Sequence, residues 1–227
     1  SRCLGCLSEQ DEGSGFCESQ HRLRFAPSPG EIAELISEHL DAVDHGVTSF
    51  GQGCEGEPLL RADDLAAAIR IAREKTGRGT INLNTNGSHP GGLQHMIDAG
   101  VDSVRISLCS PSATRYCTYH RPVNYTFGDV ERSISLALEA GIFVSLNLFF
   151  MPGFTDSEDE VEALYSFLKR FPVQMIQTRN LNIDPDLFFE SMNFGKEPAL
   201  GIRTLIDMLR RDFPQMRLGY YNPPLRQ

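Results

Sequence analysis

Gly56, Glu57 and Pro58 are the residues of this sequence whose types and spacing point most directly to chemistry. They lie in residues 53–60, which follow the strand-like run 47–50 and lead into a helix-like run from Ala62. A Gly-Glu-Pro segment at a strand end can present open backbone groups and a carboxylate to a bound amine. The same three residues in isolation are typical of an ordinary turn before a helix. Their place after a strand favours a cofactor site.

Two cysteines near the start, Cys3 and Cys6, form a second candidate site. A C-x-x-C pair can ligate zinc or an iron-sulfur cluster, since both accept thiolates. Cys17 and His21 follow at a spacing that completes a tetrahedral zinc set, so these residues taken alone favour zinc. The other cysteines fall in or beside core-like runs: Cys54, Cys109 and Cys117. Six cysteines are too few for a disulfide scaffold, so we expect a reducing, cytoplasmic compartment.

The elements that must position these residues alternate in type from residue 29 onward. The predicted helices are residues 32–43, 63–75, 90–99, 126–140, 156–170 and 200–212. The predicted strands are residues 47–50, 80–84, 102–108, 142–150, 174–178 and 216–220. Residues 1–28 are rich in Gly, Ser, Glu and Gln, and we interpret them as an irregular lead-in that forms a single domain with residues 29–227.

Strands that alternate with helices predict a parallel α/β sheet, here a partial (β/α)6 barrel of the TIM type. Polar clusters follow the predicted strand ends, at residues 52–57, 85–88, 107–110, 151–156 and 179–184. In a parallel barrel these turns converge on one rim, where chemistry is normally housed. A doubly wound sheet ranks second, because the sequence contains no G-x-x-x-x-G-K-[ST] phosphate loop.

Composition argues against several classes of partner. The formal net charge of −9 disfavours a surface that binds nucleic acid by neutralising phosphates. The longest apolar candidate, residues 142–151, is interrupted by Ser145 and Asn147, so no membrane helix is expected. The sequence begins with Ser1 rather than Met, and we expect it to be a piece of a longer chain.

Several of these strand ends, taken in chain order, resemble the radical S-adenosylmethionine (SAM) superfamily. The resemblance covers about residues 1–184 and rests on Gly56-Glu57-Pro58, Asn84-Thr85-Asn86-Gly87, Arg105-Ile106-Ser107-Leu108, Asn147 and Met151-Pro152-Gly153. It implies a partial (β/α)6 barrel that holds a [4Fe-4S] cluster on a C-x-x-x-C-x-x-C loop. Only Cys3 and Cys6 of that motif are present, and the missing cysteine would stand two positions before Ser1.

The resemblance also implies an activity and a set of site residues. The reduced cluster would cleave SAM to methionine and a 5'-deoxyadenosyl radical, which abstracts a hydrogen from a substrate. Cys3 and Cys6 would ligate iron, and Gly5 stands where the family has an aromatic residue. The implied cofactor-binding residues are Gly56, Glu57 and Pro58 around the methionine amine, Asn84, Thr85 and Asn86 along the pocket, and Ser107 and Asn147 at the ribose or methionine.

The substrate side is predicted from residues 178–186, which are dense in hydrogen-bonding groups. Arg179, Asn180 and Asn182 are the candidate substrate contacts, since a planar guanidinium suits a carboxylate or phosphate. The same segment could simply cap the barrel edge. The expected partners are a small-molecule or peptide substrate and an electron donor such as flavodoxin or ferredoxin.

Other interpretations of these residues stay open at the level of sequence. Arg105 on a buried strand should have a carboxylate partner and can be structural, and Asn147 can be a hydrogen-bonded core amide. A second polar-aromatic loop contains Tyr116, Tyr119, His120 and Arg121; it is interpreted as a surface loop that packs its own aromatic rings, with a role at the rim as the alternative. A zinc-stabilised binding domain without redox chemistry is the alternative function. An aldolase or isomerase barrel is disfavoured, because Lys75, Lys169 and Lys196 lie away from strand ends.

Overall fold

A computed structural model of the protein describes residues 2–6, 25–52, 56–180, 183–195 and 198–227. Six strands of this described part form one parallel sheet in chain order, and each pairs with the next. They are β1 (Val47–Phe50), β2 (Thr80–Thr85), β3 (Ser103–Leu108), β4 (Phe143–Phe149), β5 (Met175–Arg179) and β6 (Arg217–Gly219). The predicted parallel α/β architecture is confirmed.

Apart from α1, which precedes β1, the described helices lie between successive strands, as (β/α) units require. They are α1 (Pro29–Ala42), α2 (Ala62–Lys75), α3 (Pro90–Ala99), α4 (Ala113–His120), α5 (Phe127–Glu139), α6 (Glu158–Arg170), α7 (Pro185–Ser191) and α8 (Ile202–Asp212), with a 3₁₀ turn at Pro58–Arg61. α1 begins at a capping box, in which Ser28 and Glu31 satisfy each other's backbone N–H groups. The division at residue 28 stays a prediction, because residues 7–24 lie outside the described part.

The interpretation of residues 116–121 as a surface loop was wrong. Residues 113–120 form α4, and the rings of Tyr116 and Tyr119 are buried. Tyr116 stacks on His120, four residues later and on the same helix face, with ring centroids 4.3 Å apart. Tyr119 packs against Phe149 at the end of β4. Tertiary packing therefore stabilises a short helix whose own sequence signal is weak.

The concave face of the sheet is polar, whereas the opposite face packs against the helices. Arg105 of β3 donates through Nη1 to Gln177 Oε1 of β5 at 3.0 Å. β3 and β5 are not neighbours in the sheet, so this bond reaches across the concave face. Asn82 donates to Asn84 at 2.9 Å and accepts from Ser103 at 2.8 Å. The inner face is thus a connected hydrogen-bond network rather than an apolar core.

The C-terminal residues occupy the end of the sheet where the strands begin. The backbone N–H groups of Leu225 and Arg226 donate to the hydroxyl of Thr80, the first residue of β2. Arg226 also pairs with Asp102, which precedes β3. These contacts cover the amino ends of the strands, and the carboxyl ends remain for a binding site.

Candidate functional site

The Glu57 carboxylate joins the loops that follow β1 and β2. Its Oε1 accepts hydrogen bonds from the Leu59 N–H at 3.1 Å and the Thr85 hydroxyl at 2.5 Å. Its Oε2 accepts from the Asn86 N–H at 2.9 Å. Burial raises the pKa of Glu57 although these bonds act in the opposite direction. The side chain therefore fixes the two loops against each other, and the backbone beside it is what can face a ligand.

Two glycines shape the backbone at this strand end. A Cβ atom on Gly51, which has φ +67°, would lie 2.2 Å from the Asn84 carbonyl oxygen, so only glycine allows the two loops to approach. Gly56 has φ +126°, and a Cβ there would meet nothing within 4 Å in the described part of the chain. Open space beside an exposed glycine backbone fits a ligand-binding edge.

The other predicted cofactor residues lie at the same end of the sheet. Asn84 donates to the Phe50 carbonyl at 2.8 Å and to Gln52 Oε1 at 2.9 Å, which ties β2 to the loop after β1. Ser107 and Asn147 are half-buried and directly opposite each other in the register of β3 and β4. The structure thus places Ser107 and Asn147 side by side, with β3 directly next to β2, whose following loop Glu57 contacts.

The cysteine segment is attached to the C-terminal end of α4. The Leu4 N–H donates to the Tyr119 carbonyl at 2.9 Å, and the Arg2 N–H donates to the His120 carbonyl at 3.2 Å. The Cys6 N–H donates to the Cys3 carbonyl at 3.2 Å and closes a turn that brings the two cysteines together. The last carbonyls of a helix have no intrahelical partners, so they are available to hold this segment.

An apolar cluster surrounds Cys3 at the carboxyl ends of β3 and β4. Cys3 and Leu4 pack against seven buried residues, which are Cys109, Tyr119, Phe149, Phe154, Ile183, Phe188 and Met192. Cys109 directly follows β3, and burial raises the pKa of its thiol, so it behaves as a core residue as predicted. Cys3 therefore lies on the same rim of the sheet as the Glu57 loops.

His120 is a residue of this site that the sequence interpretation favoured as part of a surface loop rather than as a functional residue. Its Nδ1 lies 3.3 Å from Cys3 Sγ, and the ring is 2% exposed. Burial, with a contribution from the charge of Arg179, lowers the pKa of His120 to about 3, so the ring is neutral at physiological pH. The available signal was the spacing of Tyr116, Tyr119 and His120, which places all three on one side of a helix.

The predicted substrate residues are only partly described. Arg179 ends β5, and its Nη2 donates to the Tyr119 hydroxyl at 2.7 Å, beside the cysteine segment. Asn180 is exposed, and Asn182 lies outside the described residues. Arg105 also bonds to an amide oxygen of Gln52, at 3.5 Å. The two guanidinium groups thus point to the concave face and its rim.

The donor set agrees with soft-metal binding by Cys3 and Cys6. Cys3 packs against an apolar cluster, and a backbone turn joins it to Cys6, which suits an iron-sulfur cluster. Cys17 and His21, which the zinc alternative needs, lie outside the described residues. Within the described ranges no group of three His, Cys, Asp or Glu side chains could hold a metal ion. No described helix is long and apolar enough to cross a membrane.

Comparison with known proteins identifies the family of this arrangement. A family model described as the Radical SAM superfamily matches residues 1–168. A probable GTP 3',8-cyclase of Methanosarcina acetivorans is 29% identical over 195 residues, which cover 82% of this chain and 54% of that protein. A GTP 3',8-cyclase of Corynebacterium glutamicum is 30% identical over 184 residues, or 78% of this chain and 45% of that protein. The chain spans about half the length of these curated relatives.

The solved structures support the same fold. The structure described as native anSMEcpe with bound AdoMet superposes with a TM-score of 0.63 and 16% identity, and covers 96% of this chain and 59% of that chain. At this identity the likeness speaks for the barrel architecture and not for a shared substrate.

Proposed function

This chain belongs to the radical SAM superfamily, and from that premise we propose that it is the barrel domain of a radical SAM enzyme. Cys3 and Cys6 would be two ligands of a [4Fe-4S] cluster. When bound, the cluster and SAM supply a 5'-deoxyadenosyl radical, which abstracts a hydrogen atom from the substrate. The residues of the chain hold these groups, orient them and keep water out.

One observation carries this proposal: the Cys3–Cys6 turn lies on the same rim of the sheet as the Gly56–Pro58 loop. Tyr119 and His120 hold the first segment through backbone hydrogen bonds. Glu57 holds the second through its bonds to Thr85 and Asn86. Both segments are fixed by hydrogen bonds to neighbouring elements, and the Gly56 backbone borders open space among the described residues. Such preorganisation is what orientation of a reactive cofactor requires.

The aromatic cluster around Cys3 supports a redox role for this end of the barrel. A cluster seated beside Phe149 and Phe188 would be shielded from water on that side. Solvent exclusion protects a reactive radical from side reactions and influences the reduction potential of the metal. The zinc-stabilised binding domain has no comparable support among the described residues.

Anaerobic reconstitution of the full-length protein with iron and sulfide tests the proposal. We expect broad visible absorbance that dithionite bleaches, and cleavage of SAM to methionine and 5'-deoxyadenosine. Cys3→Ala and Cys6→Ala should lose both, whereas Cys117→Ala, at an exposed position of α4, should keep both. A colourless wild-type protein that retains zinc would reject the radical SAM proposal.

Ser107 and Asn147 are proposed to contact bound SAM, because they stand side by side on the half-buried rim. Losing one such hydrogen bond costs about 1 kcal/mol, or about fivefold in affinity. We therefore expect Ser107→Ala and Asn147→Ala to weaken SAM binding to the reconstituted protein by about that factor. Thr114→Ala, at an exposed site on α4, is the control. Unchanged affinity in both rim variants would remove these residues from the SAM site.

The substrate and the electron donor are proposed more broadly. We place a small molecule or peptide near Arg179 and Asn180, and a flavodoxin or ferredoxin as the reductant in a cytoplasmic setting. GTP, which the curated relatives' names contain, is the first probe for the substrate site. Calorimetry with the loaded protein should show weaker GTP binding to Arg179→Gln than to wild type. Equal binding by the two proteins would argue against a phosphate contact at Arg179.

A further inference from the structure

We infer that His120 is a positioning residue that donates an Nδ1–H hydrogen bond to the Cys3 thiolate and thereby raises the reduction potential of the cluster. The inference rests on the proposed function, since it concerns the cluster that Cys3 would ligate. It adds a side chain outside the cysteine motif to the residues that control the redox chemistry.

The position of the imidazole is fixed from several directions. Nδ1 lies 3.3 Å from Cys3 Sγ, within the range of an N–H···S hydrogen bond. The ring stacks on Tyr116 at an interplanar angle of 22° and meets the edge of Tyr119. The carbonyl of His120 also accepts the Arg2 N–H, so its backbone holds the residue before Cys3 while its side chain contacts the sulfur. Such an arrangement specifies orientation as well as proximity.

The hydrogen bond has only one possible direction when Cys3 ligates iron. A thiolate bound to metal can accept a hydrogen bond but cannot donate one. Nδ1 must therefore carry the proton. In a neutral ring the other nitrogen, Nε2, is then a lone-pair acceptor.

The surroundings of Nε2 argue that His120 has a functional role. Nε2 is fully buried and has no hydrogen-bond partner within the described part of the chain. Burying an acceptor without a partner is unfavourable, and an aromatic hydrocarbon ring would fill the same space at lower cost. A histidine at this position is explained if the protein needs its Nδ1–H at the sulfur of Cys3.

A hydrogen bond to a ligating sulfur stabilises the reduced cluster, because reduction adds negative charge to the cluster and its thiolates. Hydrogen bonds to sulfur are a known determinant of iron-sulfur potentials, and residues behind the ligands tune the metal. Removing the donor should therefore make the cluster harder to reduce. We expect about a tenfold smaller ratio of reduced to oxidised cluster at a fixed potential, which is 59 mV for one electron.

Two amide substitutions provide a matched test. Asn at position 120 places its amide near the location of Nδ1, whereas Gln reaches toward the location of Nε2. His120→Asn should therefore retain the bond to Cys3 and keep a potential close to wild type. His120→Gln and His120→Phe should both shift the potential downward. His95→Phe, at an exposed histidine on α3, is the control and should leave the potential unchanged.

The measurement is a redox titration of the anaerobically reconstituted full-length protein, followed by electron paramagnetic resonance. Thermal unfolding of the metal-free proteins separates packing from tuning, because His120→Phe removes a buried unpaired nitrogen and should melt no lower than wild type. A downward shift in His120→Gln and His120→Phe, with recovery in His120→Asn, supports the inference.

The inference is overturned if His120→Phe keeps the wild-type reduction potential. It is also overturned if the Asn and Gln variants have the same potential as each other. If His120→Phe fails to load a cluster, the reduction potentials of His120→Asn and His120→Gln still test the inference. A wild-type protein that assembles no cluster or cleaves no SAM would instead refute the proposed function, and this inference would fall with it. If the protein loads a cluster and cleaves SAM but the substitutions leave its reduction potential unchanged, only the inference about His120 is refuted.

Discussion

Replacing Glu57 with Gln tests the claim that one carboxylate joins the loops after β1 and β2. A carboxylate accepts at both oxygens, whereas an amide accepts at one and donates at the other. Gln can keep the two bonds now made to Oε1, from Leu59 and Thr85, by placing its oxygen there. Its NH₂ group would then face the Asn86 N–H, and two donors would oppose each other.

The expected loss of stability in Glu57→Gln follows from the single hydrogen bond lost at the Asn86 N–H. Asn86 is 9% exposed, so water cannot readily replace the missing acceptor. A buried donor left without a partner costs about 1–3 kcal/mol. Relief of the desolvated charge at Glu57 offsets part of this, so we expect Glu57→Gln to lower the free energy of unfolding by about 1–2 kcal/mol at neutral pH.

The pH dependence of the same variant has a defined sign. Because burial raises the pKa of Glu57 above its ordinary value of 4.5, the folded protein binds more protons at this site than the unfolded chain does. The stabilisation that protonation of Glu57 gives the folded protein is therefore fully present below pH 4.5. It declines as pH rises through the pKa of Glu57 in the folded protein. Glu57→Gln lacks this slope, so the stability difference between wild type and variant should shrink as pH rises from 4.5.

Urea unfolding followed by circular dichroism is the suitable assay, since the sequence contains no Trp. Glu34→Gln, at an exposed position on α1, is the matched control and should leave the midpoint unchanged. If Glu57→Gln unfolds at the wild-type urea concentration at neutral pH, the carboxylate does not join the two loops as argued.

Three further substitutions probe other parts of the fold by urea unfolding. Gly51→Ala should cost about 2–4 kcal/mol, because a Cβ would lie 2.2 Å from a β2 carbonyl oxygen; wild-type stability would contradict this. Glu160→Gln breaks a 2.7 Å ion pair with Arg115, whose side chain is 20% exposed, and should cost about 2 kcal/mol; it should also speed alkylation of Cys3 in the metal-free protein. Hydrogen bonding from Arg211 lowers the pKa of Asp212 from 3.8 to about 2, so that contribution to stability is present above pH 3.8 and lost as pH falls to 2. Asp212→Asn should therefore be less stable to urea than wild type at neutral pH. The difference in stability should disappear as pH falls through 2.

The six strands and six of the eight described helices were predictable because their signals are local. Ser28, Pro29 and Glu31 are typical of a helix start, and they begin α1. The helical spacing that includes Ile36 and Leu40 indicates its buried face. The six strands were placed correctly to within about two residues at each end. The convergence of their carboxyl ends then followed from the parallel order, which identified the rim on which the site lies.

Contacts between distant residues were not predictable in the same way. Glu57 could be proposed as a ligand contact, but its partners Thr85 and Asn86 come 28 and 29 residues later, beyond any local pattern. α4 was missed because it is short and contains two Thr and two Tyr residues, which have modest helix propensity. Its stability comes from burial of Tyr116 and Tyr119, which only the folded barrel provides.

The short helix α4 explains how two parts of the site distant in sequence become one. Arg115 in its first turn pairs with Glu160 on α6, the helix that follows β4. Tyr119 and His120 in its last turn hold the segment that carries Cys3. Since an α-helix is stiff over this length, the ion pair at one end fixes where the carbonyls at the other end can stand. The position of the cysteine turn is therefore set by the sheet through α4 rather than by the sequence around the cysteines, so a short C-x-x-C segment can be held precisely without extensive structure of its own.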